Sequence, residues 1–112
     1  MAKFETDLLG DFDEVLSYLD RTVMNSGGSV NFVDGSDCTL GETRVAVRVY
    51  DRYYFRNSSR ASLTLTVVGW QGRIFVSAVG AGGGTGVVFN MDWGAEDDLI
   101  RIVRDGLERL GV

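Results

Sequence analysis

The sequence predicts an α+β domain: an antiparallel sheet of five to six strands with an N-proximal and a C-terminal helix packed on one face, in the order β-α-β(4-5)-α. Three observations predict it. Apolar residues recur at helical spacing in two well-separated segments, around residues 12–23 and 99–110. Between them the period drops to two, as half-buried antiparallel strands require. Turn-forming clusters then punctuate that middle stretch.

The first element is a short strand, Lys3 to Leu9, with Phe4, Thr6 and Leu8 on one side and Lys3, Glu5 and Asp7 on the other. Gly10 ends it. Asp11 is placed to cap a helix with Glu14 three residues on, and Phe12, Val15, Leu16, Leu19 and Val23 form its apolar stripe. The helix should stop at Asn25-Ser26-Gly27-Gly28, where left-handed backbone becomes cheap.

Strands follow. Val30 and Phe32 alternate with Ser29 and Asn31; Val45, Val47 and Val49 with Arg44, Ala46 and Arg48; Leu63, Leu65 and Val67 with Ser62, Thr64 and Thr66. The valine and leucine sets are expected to pack inward. Turns are expected at Asp34-Gly35-Ser36-Asp37, Arg56-Asn57-Ser58-Ser59 and Gly69-Trp70-Gln71-Gly72, a further strand over Arg73 to Val79, and one more over Gly86 to Met91. The last helix carries Leu99, Ile102, Val103, Leu107 and Leu110 on one stripe, with Glu96, Asp97 and Asp98 in its first turn, where they suit the helix dipole. Gly106 falls on that stripe and points to a close approach to the sheet.

At 112 residues the chain is expected to form one domain, residues 1–112, large enough for a core without staples. Its formal net charge of -5 disfavours nucleic acid and anionic membrane surfaces, both of which are bound mainly through clustered Lys and Arg. One cysteine, Cys38, allows no internal disulfide, and the N-terminal stretch lacks the apolar core of a signal peptide. These features point to the cytoplasm. With no histidine, Ser-His and Cys-His catalysis have no base, and common zinc and haem sites lack their usual ligands. No catalytic residue, metal site or cofactor is therefore expected, and an enzyme is the least favoured class.

The run GAGGGTG, Gly80 to Gly86, invites a phosphate-loop reading. Thr85 stands where a dinucleotide fingerprint needs its third glycine, the following Val87-Val88-Phe89 reads as strand, and no lysine follows. A mobile connection between strands is expected instead. The acidic groups Asp11, Asp13, Glu14 and Glu96, Asp97, Asp98 could ligate a hard cation, but both open helices, where capping and the dipole account for them.

The segment Arg44 to Phe55 interleaves arginines with aromatics. If the valines face inward, Arg44, Arg48 and Tyr50 decorate the open face of the sheet. Ala46, Val68, Phe75 and Val79 join them there by parity, among Thr64 and Thr66. Such a face is more apolar than free solvent requires. The predicted binding residues are thus Arg44, Arg48, Tyr50, Thr64, Thr66 and Phe75. The expected role is non-enzymatic protein binding or self-assembly, with a homo-oligomer or protein partner. The alternative is a carrier of a small apolar ligand, held in a pocket between helices and sheet.

Gly10-Asp11-Phe12-Asp13-Glu14, AVRVYDRY from Ala46 to Tyr53 and SLTLTVVGWQGRIFVSAVGAGG from Ser62 to Gly83 resemble a small bacterial family known only as a domain of unknown function. That resemblance covers most of the chain and implies a bacterial, cytoplasmic protein, with no site residue to transfer. The element order also looks like the TATA-binding-protein-like or helix-grip-like architecture, a likeness of fold and not of function.

Overall fold

The computed structural model describes residues 2–27, 29–54, 59–84 and 95–111. Five strands and two helices follow in the predicted order: β1 Ala2–Leu9, α1 Phe12–Met24, β2 Val30–Leu40, β3 Thr43–Tyr54, β4 Ser59–Trp70, β5 Arg73–Gly84 and α2 Ala95–Arg109. The strands form one antiparallel sheet in the order β1-β5-β4-β3-β2. Both helices lie on the same face, α2 over β1, β4 and β5, and α1 beside it toward β2. The α+β fold expected from the sequence is the fold observed.

Local chemistry sets the elements. The Asp11 carboxylate accepts a hydrogen bond from the Glu14 backbone N–H at 3.0 Å, capping α1, and at Asn25 the helix closes, the Asn25 N–H donating to the Arg21 carbonyl and the Ser26 N–H to the Val23 carbonyl. Two-residue turns link β2 to β3 and β4 to β5. In the second, Gln71 and Gly72 have φ of 50° and 79°, the mirror-image turn whose twist suits a right-twisted hairpin.

The core sits between helices and sheet. Leu19 and Val23 of α1, Leu63, Leu65 and Val67 of β4, Val76 of β5 and Leu99, Val103 and Leu107 of α2 are fully removed from solvent. Burying side chains of this size stabilises by about 1.5–3 kcal/mol each, which is what fixes the helices to the sheet.

Several expectations need correction. Asp34-Gly35-Ser36-Asp37 is not a turn but the middle of β2, which bulges between Phe32 and Asp34. A Cβ on Gly35 would lie 3.0 Å from both the Arg48 Cδ and the Val47 carbonyl oxygen, so the glycine lets Arg48 lie flat across the strand. Cys38 is accordingly in a strand, exposed. The glycine run is not a free connection as far as Gly84: Gly80, Gly82, Gly83 and Gly84 are paired along β4, opposite Leu63, Ala61, Arg60 and Ser59. Gly106 approaches α1, not the sheet. A Cβ there would meet the Thr22 Cγ2 at 3.0 Å, and the Tyr18 hydroxyl donates to the Gly106 carbonyl at 2.7 Å, locking the two helices where they cross. The expected strand over Gly86 to Met91 and the turn at Arg56-Asn57-Ser58 lie outside the described residues.

Candidate functional site

The sheet has one covered and one open face, and pairing decides which residue lies where. Because directly paired residues share a face, the buried Leu63, Leu65 and Val67 carry their partners Tyr50, Arg48 and Ala46 to the helix side. Arg44, Arg48 and Tyr50 are therefore not on the open face; that placement is corrected. Thr64, Thr66 and Phe75 are on it.

The displaced residues have structural partners of their own. Tyr50 is fully buried, and its hydroxyl donates to the Asp20 carboxylate of α1 at 2.6 Å. Burial, then the Asp20 acceptor and its charge, push the phenol well above its ordinary range. The Arg44 guanidinium lies 4.4 Å above the Phe12 ring and pairs with Asp13 at 2.8 Å, which holds the Asp13 carboxyl below its usual value. Arg48 pairs with Asp37 at 3.0 Å and donates to the Val47 and Ser36 carbonyls. These groups fasten α1 to β3, and β3 to β2. Their arginine heads are already engaged.

What replaces them on the open face is uncharged, mostly valines with Thr64, Thr66, Phe75 and Ser77. Across the sheet from β5 to β3, three paired rows run Val79, Thr64, Val49; then Ser77, Thr66, Val47; then Phe75, Val68, Val45. No member of this central block is charged. Charges stand around it: Lys3, Glu5 and Asp7 on β1 beside the same three rows, Asp34 on β2, Arg73 at one end and Asp51 and Arg60 at the other. Ser77, 8% exposed, donates to the Glu5 carboxylate at 3.1 Å and so brings no unsatisfied hydroxyl to the block.

The face is also lopsided. Leu9, Leu40, Trp70 and Phe75 are exposed by 80%, 68%, 47% and 37%, and all four lie at the end of the open face near the two tight turns. The opposite end is polar, with Ala81, Ser62, Asp51 and Asn31 in one row. Val45, Val47, Val49, Leu9, Leu40 and Trp70 are the residues that sequence reading missed. The signal that finds them is the register: the Gln71-Gly72 turn and the polar alternation of Ser62, Thr64 and Thr66 fix the phase of β4, and β4 fixes β3.

A separate cleft opens on the helix side, between α1 and the outer strands, with Leu16, Met24 and Phe32 among its walls and Asp20, Arg21 and Arg48 at its polar edge; its volume is about 520 Å³. Among the described residues no group of three or more His, Cys, Asp or Glu could hold a metal ion, and no helix is long and apolar enough to cross a membrane.

A family model described as a family of unknown function (DUF6054) matches residues 1–111. No curated protein matches the chain. Among solved structures, the crystal structure of TTHA0849 from Thermus thermophilus is similar over 96% of this chain and 94% of that chain, with 12% sequence identity and a TM-score of 0.30.

Proposed function

The chain belongs to that family of unknown function, and we propose that it acts as a non-enzymatic assembly module that dimerises through the open face of its sheet. The observation that carries this reading is the uncharged block of Val45, Val47, Val49, Thr64, Thr66, Val68, Phe75, Ser77 and Val79, ringed by charge. An uncharged, largely apolar centre, here valines and Phe75 around Thr64, Thr66 and Ser77, with a charged rim is the anatomy of a protein interface. Size supports it as well: five strands about 4.8 Å apart and some ten residues long at about 3.3 Å each give a face of about 800 Å². That is about what one partner contributes to a stable interface. A bacterial, cytoplasmic setting accompanies this reading: the sequence resemblance implies the source, and an exposed lone Cys38 suits a reducing compartment.

Sedimentation velocity across a concentration series tests it. The expected result is a dimer that Val47→Lys converts to a monomer with an unchanged circular dichroism spectrum, because a lysine at the centre of the block buries an unpaired charge on association and leaves the fold alone. A wild-type chain that stays monomeric to millimolar concentration ends the proposal. A second reading, carriage of a small apolar ligand, has the cleft between α1 and the outer strands in its favour, a volume within the range of small-molecule sites. Native mass spectrometry of freshly purified protein separates the two: a retained small molecule supports the carrier, a doubled mass the assembly.

A further inference from the structure

We infer that the dimer has a particular register: a two-fold axis running parallel to the strands, over β4, so that β1 of one copy lies across β2 of the other and β5 across β3. This rests on the dimer proposed above and adds how the two copies meet. Two sheets stacked face to face keep their strands within about 30° of each other. A closed two-fold pair can satisfy that in two ways. The axis runs along the strands, or it runs across them.

With the axis along β4, each row of one copy meets the same row of the other, read in reverse. The row Lys3, Val79, Thr64, Val49, Asp34 sets Lys3 opposite the partner's Asp34, and by symmetry Asp34 opposite the partner's Lys3. Val79 meets the partner's Val49, and Phe75 meets the partner's Val45. The exposed turn-proximal end lies on itself, with Leu9 opposite the partner's Leu40 and Trp70 near the partner's Trp70. Each exposed apolar side chain at that end thereby gains an apolar partner.

The axis across the strands, through the middle row, gives a poorer match. Lys3 then faces the partner's Asp7, so charge alone does not decide, but Glu5 faces the partner's Glu5 in the middle row and the apolar end carrying Trp70 falls on the polar row of Ser62 and Asp51. Like charges placed opposite one another suppress an arrangement, and a hydrophobic end set against carboxylate and hydroxyl stays unmatched. The axis along the strands creates one like-charge approach among the described residues, Arg60 on the partner's Arg60. It falls at the polar end, beyond the central block, where each Arg60 already lies 5.7 Å over its own Tyr53 ring.

A charge swap tests the register with variants that keep the fold, because Lys3 and Asp34 are both exposed. Lys3→Glu and Asp34→Lys, each made alone, replace two symmetric attractions with two repulsions, and are expected to raise the dimer dissociation constant about tenfold at low salt. The double variant restores both pairs with signs reversed and should return to within about twofold of wild type. Sedimentation equilibrium reads all four proteins. A wild-type dimer with no rescue in the double variant overturns this register while leaving the dimer standing. A wild-type monomer overturns both.

Discussion

The two faces of the β3 strand invert what their side chains suggest. Its covered face carries Arg44, Arg48, Tyr50 and Arg52, and its open face Val45, Val47 and Val49. Polar residues lie inward because most of them meet matched groups: Asp20 of α1 takes the Tyr50 hydroxyl, Asp13 of α1 takes Arg44 and Asp37 of β2 takes Arg48, while the arginine stems cover apolar surface; the buried Arg52 Nε is the exception, with no hydrogen-bond partner among the described residues. Valines lie outward because nothing in the described chain covers them. Hydrophobicity alone therefore does not say which face of a strand is inside; the availability of partners for the polar face does.

The largest effect that would sharpen this contrast comes from the covered face. Leu65→Ala removes a fully buried side chain beneath the helices and should cost about 2–5 kcal/mol in urea unfolding. The matching change on the open face, Val47→Thr, should cost no more than about 0.5 kcal/mol at concentrations where the chain is monomeric. Equal losses at the two positions would erase the distinction between the faces.

Next comes Gly69, on the covered face of β4. A Cβ there would lie 2.6 Å from the Phe12 Cδ1, so Gly69→Ala must displace the ring that Arg44 stacks upon. A loss of about 1–3 kcal/mol is expected. Because Phe12 is the obstacle, adding Phe12→Ala should cost less in the Gly69→Ala background than in the wild type, a coupling that a double-mutant cycle measures.

Tyr50→Phe breaks the contrast chemically instead of sterically. It leaves the Asp20 carboxylate without its donor and should cost about 1–2 kcal/mol. A pH dependence goes with it. The folded-state phenol titrates above its ordinary value of 10.0, so its contribution to stability is complete below about pH 10 and declines as the pH rises further. Thermal melts between pH 8 and 11 should therefore fall more steeply for the wild type than for Tyr50→Phe. Parallel curves would remove Tyr50 as the alkaline-sensitive group.

The smallest effect expected is at the exposed pair of Arg44 and Asp13. The Asp13 carboxyl is held below its ordinary value, chiefly by its hydrogen bond to Arg44, so the pair contributes at neutral pH and fades as the pH falls through the acid range. Asp13→Asn should shift the melting temperature by a degree or less, and only above about pH 4.

Sequence alone determined the order of elements, because each signal for it is local. Asp11 caps α1 within one turn, the 3.6-residue stripes of Phe12 to Val23 and Leu99 to Leu107 need no distant partner, and alternation over Val45 to Val49 and Leu63 to Val67 is a property of the chain itself. Period is local; phase is not. Which side of β3 meets the helices depends on its pairing with β4, where Arg48 lies opposite Leu65, and on Asp13 and Asp20, more than twenty residues away in sequence, supplying acceptors on α1. Pairing likewise drew Gly80 to Gly84 into β5, since a glycine run opposite Leu63, Ala61 and Ser59 gains ladder hydrogen bonds that no local propensity reveals. The open valine face was legible only after the register was fixed, because a one-residue change of phase exchanges every side chain between the two faces of a sheet.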